Sequence, residues 1–208
     1  LSPKDCYVIG KNIAKLHNAS KKLKLYRKNA LAVPKLNKLL ASINKRINKV
    51  QKNILGDMRH EYKFLRRLWP KNLNSGIIHC DLFIDNIFFY KKKYYGIIDF
   101  YFACTDFYAY DIAICLNSWC FENDGSFNSE KAKTLIANYQ KIRQLNNKEK
   151  NALPTLTQGA AIRFFVTRYY DWHHTPEGAL VKKHDPLEYW NKIIYLRSNS
   201  NLELYGLL

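Results

Sequence analysis

Residues 78–87 read Ile-His-Cys-Asp-Leu-Phe-Ile-Asp-Asn-Ile, so His79, Asp81 and Asn86 stand as H-x-D-x-x-x-x-N. A carboxylate and a carboxamide at this spacing suit phosphoryl transfer to a hydroxyl. Asp81 would be the base or hydroxyl-orienting group, and the amide oxygen of Asn86 would face a magnesium ion. A loop pinned at both ends can aim both side chains into one cleft. Thirteen residues after Asn86, Ile97-Ile98-Asp99-Phe100 puts a second carboxylate at the end of a β-rich run. Mg²⁺ prefers oxygen ligands and keeps several waters, so one carboxamide and one carboxylate suffice beside phosphate oxygens. Asn86 and Asp99 are the expected metal ligands.

The neighbouring residues carry plainer expectations. His79 is expected to support the catalytic loop by hydrogen bonding rather than to act as a base, and Asp85 to be a turn residue or helper. Asp106 and Asp111 are expected to be structural acids. Asp106 can cap the helix that follows it, whereas Asp111 sits in an apolar stretch and needs a buried donor. The aromatics around Trp119 and Tyr169-Tyr170-Asp171-Trp172 fit a core better than a pocket wall. An H-x-D triplet or a strand-end Asp is common by itself. The ordered set of His79, Asp81, Asn86, hairpin and Asp99 is what makes the pattern specific.

The elements that must position this set follow from periodicity. Ser2-Pro3-Lys4-Asp5 is a helix start, with Ser2 as cap, Pro3 at the first position and Asp5 at the positive end of the dipole. Cys6, Ile9, Ile13 and Leu16 recur at helical spacing. Lys21 to Ala32 is a basic loop or short helix before Pro34. Leu36, Leu39, Leu40, Ile43, Ile47 and Val50 predict a second amphipathic helix, and Leu55 to Trp69 a third, closed by Pro70. Gly76-Ile77-Ile78 is short and apolar. Ile87–Tyr90 and Tyr94–Ile98, joined by Lys91-Lys92-Lys93, predict a small hairpin. Helices are expected over Ala109–Phe121, Ser129–Leu145, Lys148–Trp172 and from Asp185-Pro186 to Arg197. Pro154 must lie in the first turn of its helix or break it. The fold class is mostly α (α+β), helices around one small hairpin.

Composition narrows the function classes. The chain has 208 residues, 47% of them hydrophobic and 14% aromatic, enough for a genuine core and against disorder. The net charge is +17, and Cys6 to Gly56 holds thirteen Lys/Arg with no Asp or Glu. Such a stretch raises nucleic acid as a partner. It carries only Tyr7 and Tyr26 as aromatics and no binding motif, so a solvated basic face is the stronger reading. Five cysteines (Cys6, Cys80, Cys104, Cys115, Cys120) with no C-x-x-C pair predict reduced, mostly buried thiols rather than disulfides or zinc. No apolar run approaches the ~20 residues that span a bilayer, and no secretory signal is present, so the expected location is cytoplasmic. The sequence begins at Leu1 and its one methionine is Met58, which suggests that its true beginning is missing.

At these residues the sequence resembles the aminoglycoside phosphotransferase superfamily, the small-molecule relatives of protein kinases. That resemblance rests on the H-x-D-x-x-x-x-N loop, the hairpin, Ile98-Asp99-Phe100, and the later Asp106–Asp111 block ending in Ile112-Ala113. Residues 78–122, together with Gly159–Trp172, Thr175-Pro176 and Lys183–Tyr189, are similar to the homoserine kinase branch. The likeness covers nearly the whole chain, from the first helix onward. It implies ATP-dependent, Mg²⁺-assisted phosphorylation of the homoserine hydroxyl, with Asp81 catalytic and Asn86 and Asp99 holding the metal. Homoserine carries a carboxylate, which a guanidinium suits. Arg163 and Arg168, about 140° apart on an ideal helix, and Trp172 are the candidate substrate-binding residues. The family's N-terminal β lobe, with its phosphate-covering loop and strand lysine, is missing here: none of the eight glycines forms G-x-G-x-x-G.

The expectation is therefore a protein-kinase-like C-lobe over 1–208. Its parts are a helical leader (1–72), a catalytic loop and metal-binding hairpin (73–105) and a helical substrate subdomain (106–208). Such a chain would have little or no activity alone, and a separate N-lobe polypeptide is a conceivable partner. The alternatives are a phosphotransferase for another amino alcohol or aminoglycoside, or a non-catalytic basic remnant serving as an interaction module.

Overall fold

A computed structural model describes residues 2–43, 49–91, 93–176 and 184–207. In chain order the elements are α1 (Pro3–Ser20), α2 (Asn37–Ser42), α3 (Lys49–Leu68), β1 (Ser75–Ile78), β2 (Ile87–Tyr90), β3 (Lys93–Ile97), β4 (Cys104–Phe107), α4 (Tyr108–Trp119), α5 (Ser129–Gln140), α6 (Asn147–His174) and α7 (Leu187–Ser198). The chain falls into two compact units. One comprises residues 1–29, 70–157 and 200–208, the other residues 30–69 and 158–199. These units cut across the sequential segments 1–72, 73–105 and 106–208.

The first unit holds the loop of His79, Asp81 and Asn86. Its α1 begins as expected: the Ser2 amide and hydroxyl both donate to Asp5 Oδ2, at 2.8 Å each. The buried stripe of α1 is Cys6, Ile9, Gly10, Ile13, Ala14 and His17. Gly10 faces α5 so closely that a Cβ there would collide with the Leu135 carbonyl oxygen. Two small antiparallel sheets frame the loops. β1 pairs with β4, Ile78 opposite Cys104 and Ser75 opposite Phe107. β2 pairs with β3, Ile87 opposite Ile97, with a register shift between Phe88 and Phe89. Lys28 bridges in parallel to Thr105, so the loop after α1 lies along β4. Almost all of α4 is buried, from Tyr108 to Trp119.

In the second unit α3 presents Leu55, Met58, Tyr62 and Leu65 as a buried stripe at helical spacing. Buried Glu61 ties three helices together, accepting from Gln158 Nε2 on α6 (3.4 Å) and Arg197 Nη1 on α7 (2.6 Å). Gly159 lets the Trp69 ring lie against α6, in the space that a Cβ would occupy.

Four sequence expectations change. The second helix is α2 alone: Ser42 Oγ bonds back to the Leu39 carbonyl at 2.7 Å, competing with the next helical bond. Val50 belongs to α3, and Ile47, like Lys92 of the lysine turn, lies outside the described residues. The helix beginning at Ser129 stops at Gln140, before Leu145. Leu145 is buried from the following loop, so its apolar character extended the period without extending the helix. Pro154 lies beyond the first turn of an unbroken α6. An interior proline costs about 3 kcal/mol; burial of Leu153 and Leu156, at about 1.5–3 kcal/mol each, offsets it. Finally, Cys104–Phe107 is a strand that was not expected, because its apolar content is low and its partner β1 lies 26 or more residues earlier. All five cysteines are buried and none forms a disulfide. Among the described residues no helix is long and apolar enough to cross a membrane.

Candidate active site

Each end of the 79–82 loop is gripped by α4. The His79 amide donates to Asp111 Oδ2 (2.8 Å) and the Cys80 amide to Asp111 Oδ1 (2.7 Å). Three residues on, the Leu82 carbonyl accepts from Ser118 Oγ (2.8 Å) and Trp119 Nε1 (3.0 Å). Asp81 sits between these anchors, half-buried. Cys80 has φ +67°, a left-handed conformation that a non-glycine residue adopts at a cost of about 1–3 kcal/mol. The bidentate grip of Asp111 on the two amides holds that conformation.

Both ring nitrogens of His79 are committed to backbone. Nδ1 accepts from the Asp81 amide (3.3 Å), and Nε2 donates to the Ile98 carbonyl (2.9 Å). His79 therefore links the loop to the residue before Asp99 and stands edge-on to Phe100. Its two ring nitrogens tie two stretches of backbone together.

Asn86 closes the constellation. Its Nδ2 donates to the Asp81 carbonyl (2.7 Å) and reaches Asp81 Oδ2 (3.3 Å). Those donors fix the amide so that its oxygen faces away from Asp81. The Ile98 amide donates to the Asn86 carbonyl at 3.0 Å, one step past the Ile87–Ile97 pair. Asn86 and Asp99 thus leave the same open end of one hairpin. Asp99 is exposed, has φ +58°, and accepts the Tyr101 amide on Oδ1 at 3.2 Å. Asp85 is exposed in the 3-10 turn Ile84–Asn86. A carboxamide oxygen and a carboxylate on one hairpin end make an oxygen donor set. That set fits a hard divalent cation sharing its remaining positions with phosphate and water. No cluster of three or more His, Cys, Asp or Glu among the described residues makes a self-sufficient metal cage.

Asp106 does not cap α4. The cap position is Phe107, and Asp106 lies in β4, accepting the Phe107 amide (2.8 Å) and Asn29 Nδ2 (2.7 Å). Asp106 misses the cap because the strand β4 runs through Phe107, which takes the position before the helix. The buried donors required by Asp111 are the His79 and Cys80 amides and His17 Nε2 at 3.1 Å. Sequence reasoning missed His17, Asn29, Ser118 and Trp119. His17 had a visible signal, a polar residue on the apolar stripe four after Ile13. The partners of the other three are separated by 36 or more residues.

Arg163, Arg168 and Trp172 lie on α6 in the second unit. Arg163 is 1% exposed, its guanidinium 4.3 Å from the Phe164 ring. Arg168 donates to Glu188 Oε2 at 2.6 Å and lies over Tyr189. Trp172 is 40% exposed.

The sequence profile of the phosphotransferase enzyme family matches residues 2–145. The chain is 48% identical over 204 residues to a homoserine kinase of Agrobacterium fabrum, covering 98% of this chain and 63% of that protein. Relatives from Rhizobium and Sinorhizobium give the same picture, and the chain spans 62–64% of the length of these curated relatives. Among solved structures, a Plasmodium vivax ethanolamine kinase superposes with a TM-score of 0.65 at 20% identity, covering 100% of this chain and 62% of that one. An amicoumacin kinase in complex with AMP-PNP and Ca²⁺ gives 0.63 at 14% identity, covering 99% and 59%. At these identities the structural likeness establishes the kinase-like phosphotransferase fold.

Proposed function

The chain belongs to the phosphotransferase enzyme family, and we propose that its site serves ATP-dependent phosphorylation of the side-chain hydroxyl of L-homoserine. The observation that carries this reading is the Asn86 clamp. One side chain fixes the Asp81 backbone and carboxylate by its NH₂ and presents its oxygen at the hairpin end that carries Asp99. Similarity to homoserine kinases supports the acceptor.

The half-buried Asp81 carboxylate accepts a hydrogen bond from the acceptor hydroxyl. It orients the oxygen in line with the γ-phosphorus and takes the proton as the phosphoryl group arrives. Asn86 and Asp99 would hold the magnesium, which supplies neutralisation of phosphate charge when bound. His79 and Asp111 keep the loop backbone fixed, so the geometry is set before reactants meet. The 208 residues contain no G-x-G-x-x-G, the pattern of a loop that covers nucleotide phosphates. We therefore expect the 208-residue chain alone to turn over slowly.

The test is transfer of labelled γ-phosphate to homoserine, ethanolamine and an aminoglycoside by the chain and by Asp81→Asn. Transfer to homoserine above the other acceptors, falling at least 100-fold in Asp81→Asn, is expected. Mn²⁺ with ADP should broaden the Asn86 and Asp99 amide resonances, and Asn86→Leu should abolish that broadening. Equal transfer by Asp81→Asn would overturn the assignment. Faster transfer to another acceptor would move the substrate. Absence of both transfer and broadening would favour a non-catalytic module.

A further inference from the structure

Asp111 holds the loop that carries Asp81, and a chain of buried groups leads from Asp111 through the same unit to Asn74 beside β1. His17 Nε2 lies 3.1 Å from Asp111 Oδ2, and His17 Nδ1 lies 2.8 Å from Tyr139 Oη. Tyr139 Oη accepts from Arg143 Nη1 at 3.2 Å. Arg143 Nη2 donates to Glu149 Oε1 at 2.6 Å. Glu149 Oε2 closes the chain, accepting from Asn74 Nδ2 (3.2 Å) and the Asn146 amide (3.1 Å). His17, Asp111, Tyr139 and Glu149 are 0% exposed and Arg143 is 6% exposed.

The donors and acceptors permit one consistent direction. The Asp111 carboxylate only accepts, so His17 Nε2 donates to it; with one ring proton Nδ1 accepts from the Tyr139 hydroxyl, whose oxygen in turn accepts from Arg143, which can only donate. His17 Nδ1 is then an acceptor, its proton stays on Nε2, and that N–H points at the Asp111 carboxylate. Burial holds the His17 pKa below its usual value, in keeping with one ring proton. Asp111 spends its remaining capacity on the His79 and Cys80 amides. The Nδ1–H tautomer would set a lone pair against Asp111 Oδ2, loosening the contact that keeps Cys80 at positive φ. An apolar filling of the same space would avoid burying charge. What the polar chain adds is a unique orientation for His17.

We propose that Tyr139, Arg143 and Glu149 are positioning residues for the phosphoryl-transfer loop. They act by locking the His17 tautomer and, through Asp111, the backbone that carries Asp81. This rests on the phosphoryl-transfer reading only for its activity arm. The structural arm concerns the loop itself.

The test compares the chain with Tyr139→Phe, and with the double variant Arg143→Leu, Glu149→Gln. The double variant removes both charges together and avoids leaving one buried without its counter-ion. ¹⁵N spectra of the His17 ring report the tautomer, and amide exchange at His79 and Cys80 reports the grip. In Tyr139→Phe the single Nε2–H signature becomes a mixture and the two amides exchange at least tenfold faster, while amides of the β2–β3 hairpin are unchanged. Homoserine phosphorylation falls 10- to 100-fold in kcat with KM within twofold. The double variant moves the same readouts in the same direction, more weakly. Wild-type tautomer and exchange in both variants would overturn the proposal. If the unsubstituted chain transfers no phosphate while tautomer and exchange shift as stated, the positioning stands and the acceptor reading falls.

Discussion

A histidine with both nitrogens bonded inside the protein makes stability depend on pH at a defined place. His17 is fully buried, and burial lowers its pKa. The Asp111 hydrogen bond and charge oppose that lowering, as does Glu149, whereas Arg143 reinforces it. The unfolded chain therefore binds the proton more readily than the folded one. The stability from neutral His17 is complete above the usual value of about 6.5 and is lost as pH falls below it, by at most about 1.4 kcal/mol per unit. Protonation would also give His17 two donors, and the Tyr139 hydroxyl would lose its acceptor. The thermal midpoint of the chain should decline from pH 7 to pH 5.5 more steeply than that of His17→Gln, which cannot take up this proton. Parallel declines would remove His17 from the acid transition. The residue was legible in the sequence as a polar group on an apolar stripe. Its role was not, because the four side chains that give it meaning stand 94 to 132 residues away.

Among elements, the α1–α5 contact is the one the site depends on most, since α1 carries His17 and α5 carries Tyr139. Gly10 permits it: a Cβ at that position would enter the Leu135 carbonyl oxygen, which belongs to backbone and cannot step aside. Gly10→Ala adds helix propensity, worth about 1 kcal/mol in an open helix. Separating two packed helices costs about 1–3 kcal/mol or more. The expected outcome is net destabilisation of about 1–2 kcal/mol, measured by denaturant unfolding, with faster exchange at the His79 and Cys80 amides. Stabilisation by this substitution would show that the helices are not in tight contact.

Element types were largely readable from periodicity and start signals. Ser2–Asp5 and Asp185-Pro186 mark α1 and α7, and the hairpin runs at 87–90 and 93–97 stand where the β-rich segments lie. Endings were less readable, because Leu145 and Pro154 answer to tertiary burial rather than to local propensity. β4 was not readable at all, since its strand character comes from β1 and from the Arg27–Lys28 backbone. The Thr105 amide donates to the Arg27 carbonyl at 2.7 Å. The acids Asp81 and Asp99 and the amide Asn86 were found by order and spacing. The clamp that orients Asn86 requires coordinates.

For the molecule as a whole, charge separates into two populations with opposite responses to salt. A net charge of +17 on 208 residues leaves the surface self-repelling, most densely over residues 6–56, where thirteen cations meet no acid. The acids that matter most to the fold, Asp111, Glu149 and Glu61, are buried beside donors. Screening lengths fall from about 30 Å at 0.01 M salt to about 8 Å at 0.15 M. Added salt thus removes surface repulsion while barely touching the buried pairs. The thermal midpoint should rise by several degrees between 10 and 300 mM NaCl, at about 2–4 °C per kcal/mol for a chain of this size. A flat or falling midpoint would mean that half-buried ion pairs such as Lys131–Glu122 and Arg168–Glu188 outweigh the repulsion. The same asymmetry bears on the basic stretch. Binding with a steep log–log fall against salt would make it a nucleic-acid surface; if it is a solvated face, a polynucleotide should not bind even at low salt. The function would then lie with Asp81, Asn86 and Asp99, three residues whose chemistry owes nothing to the net charge.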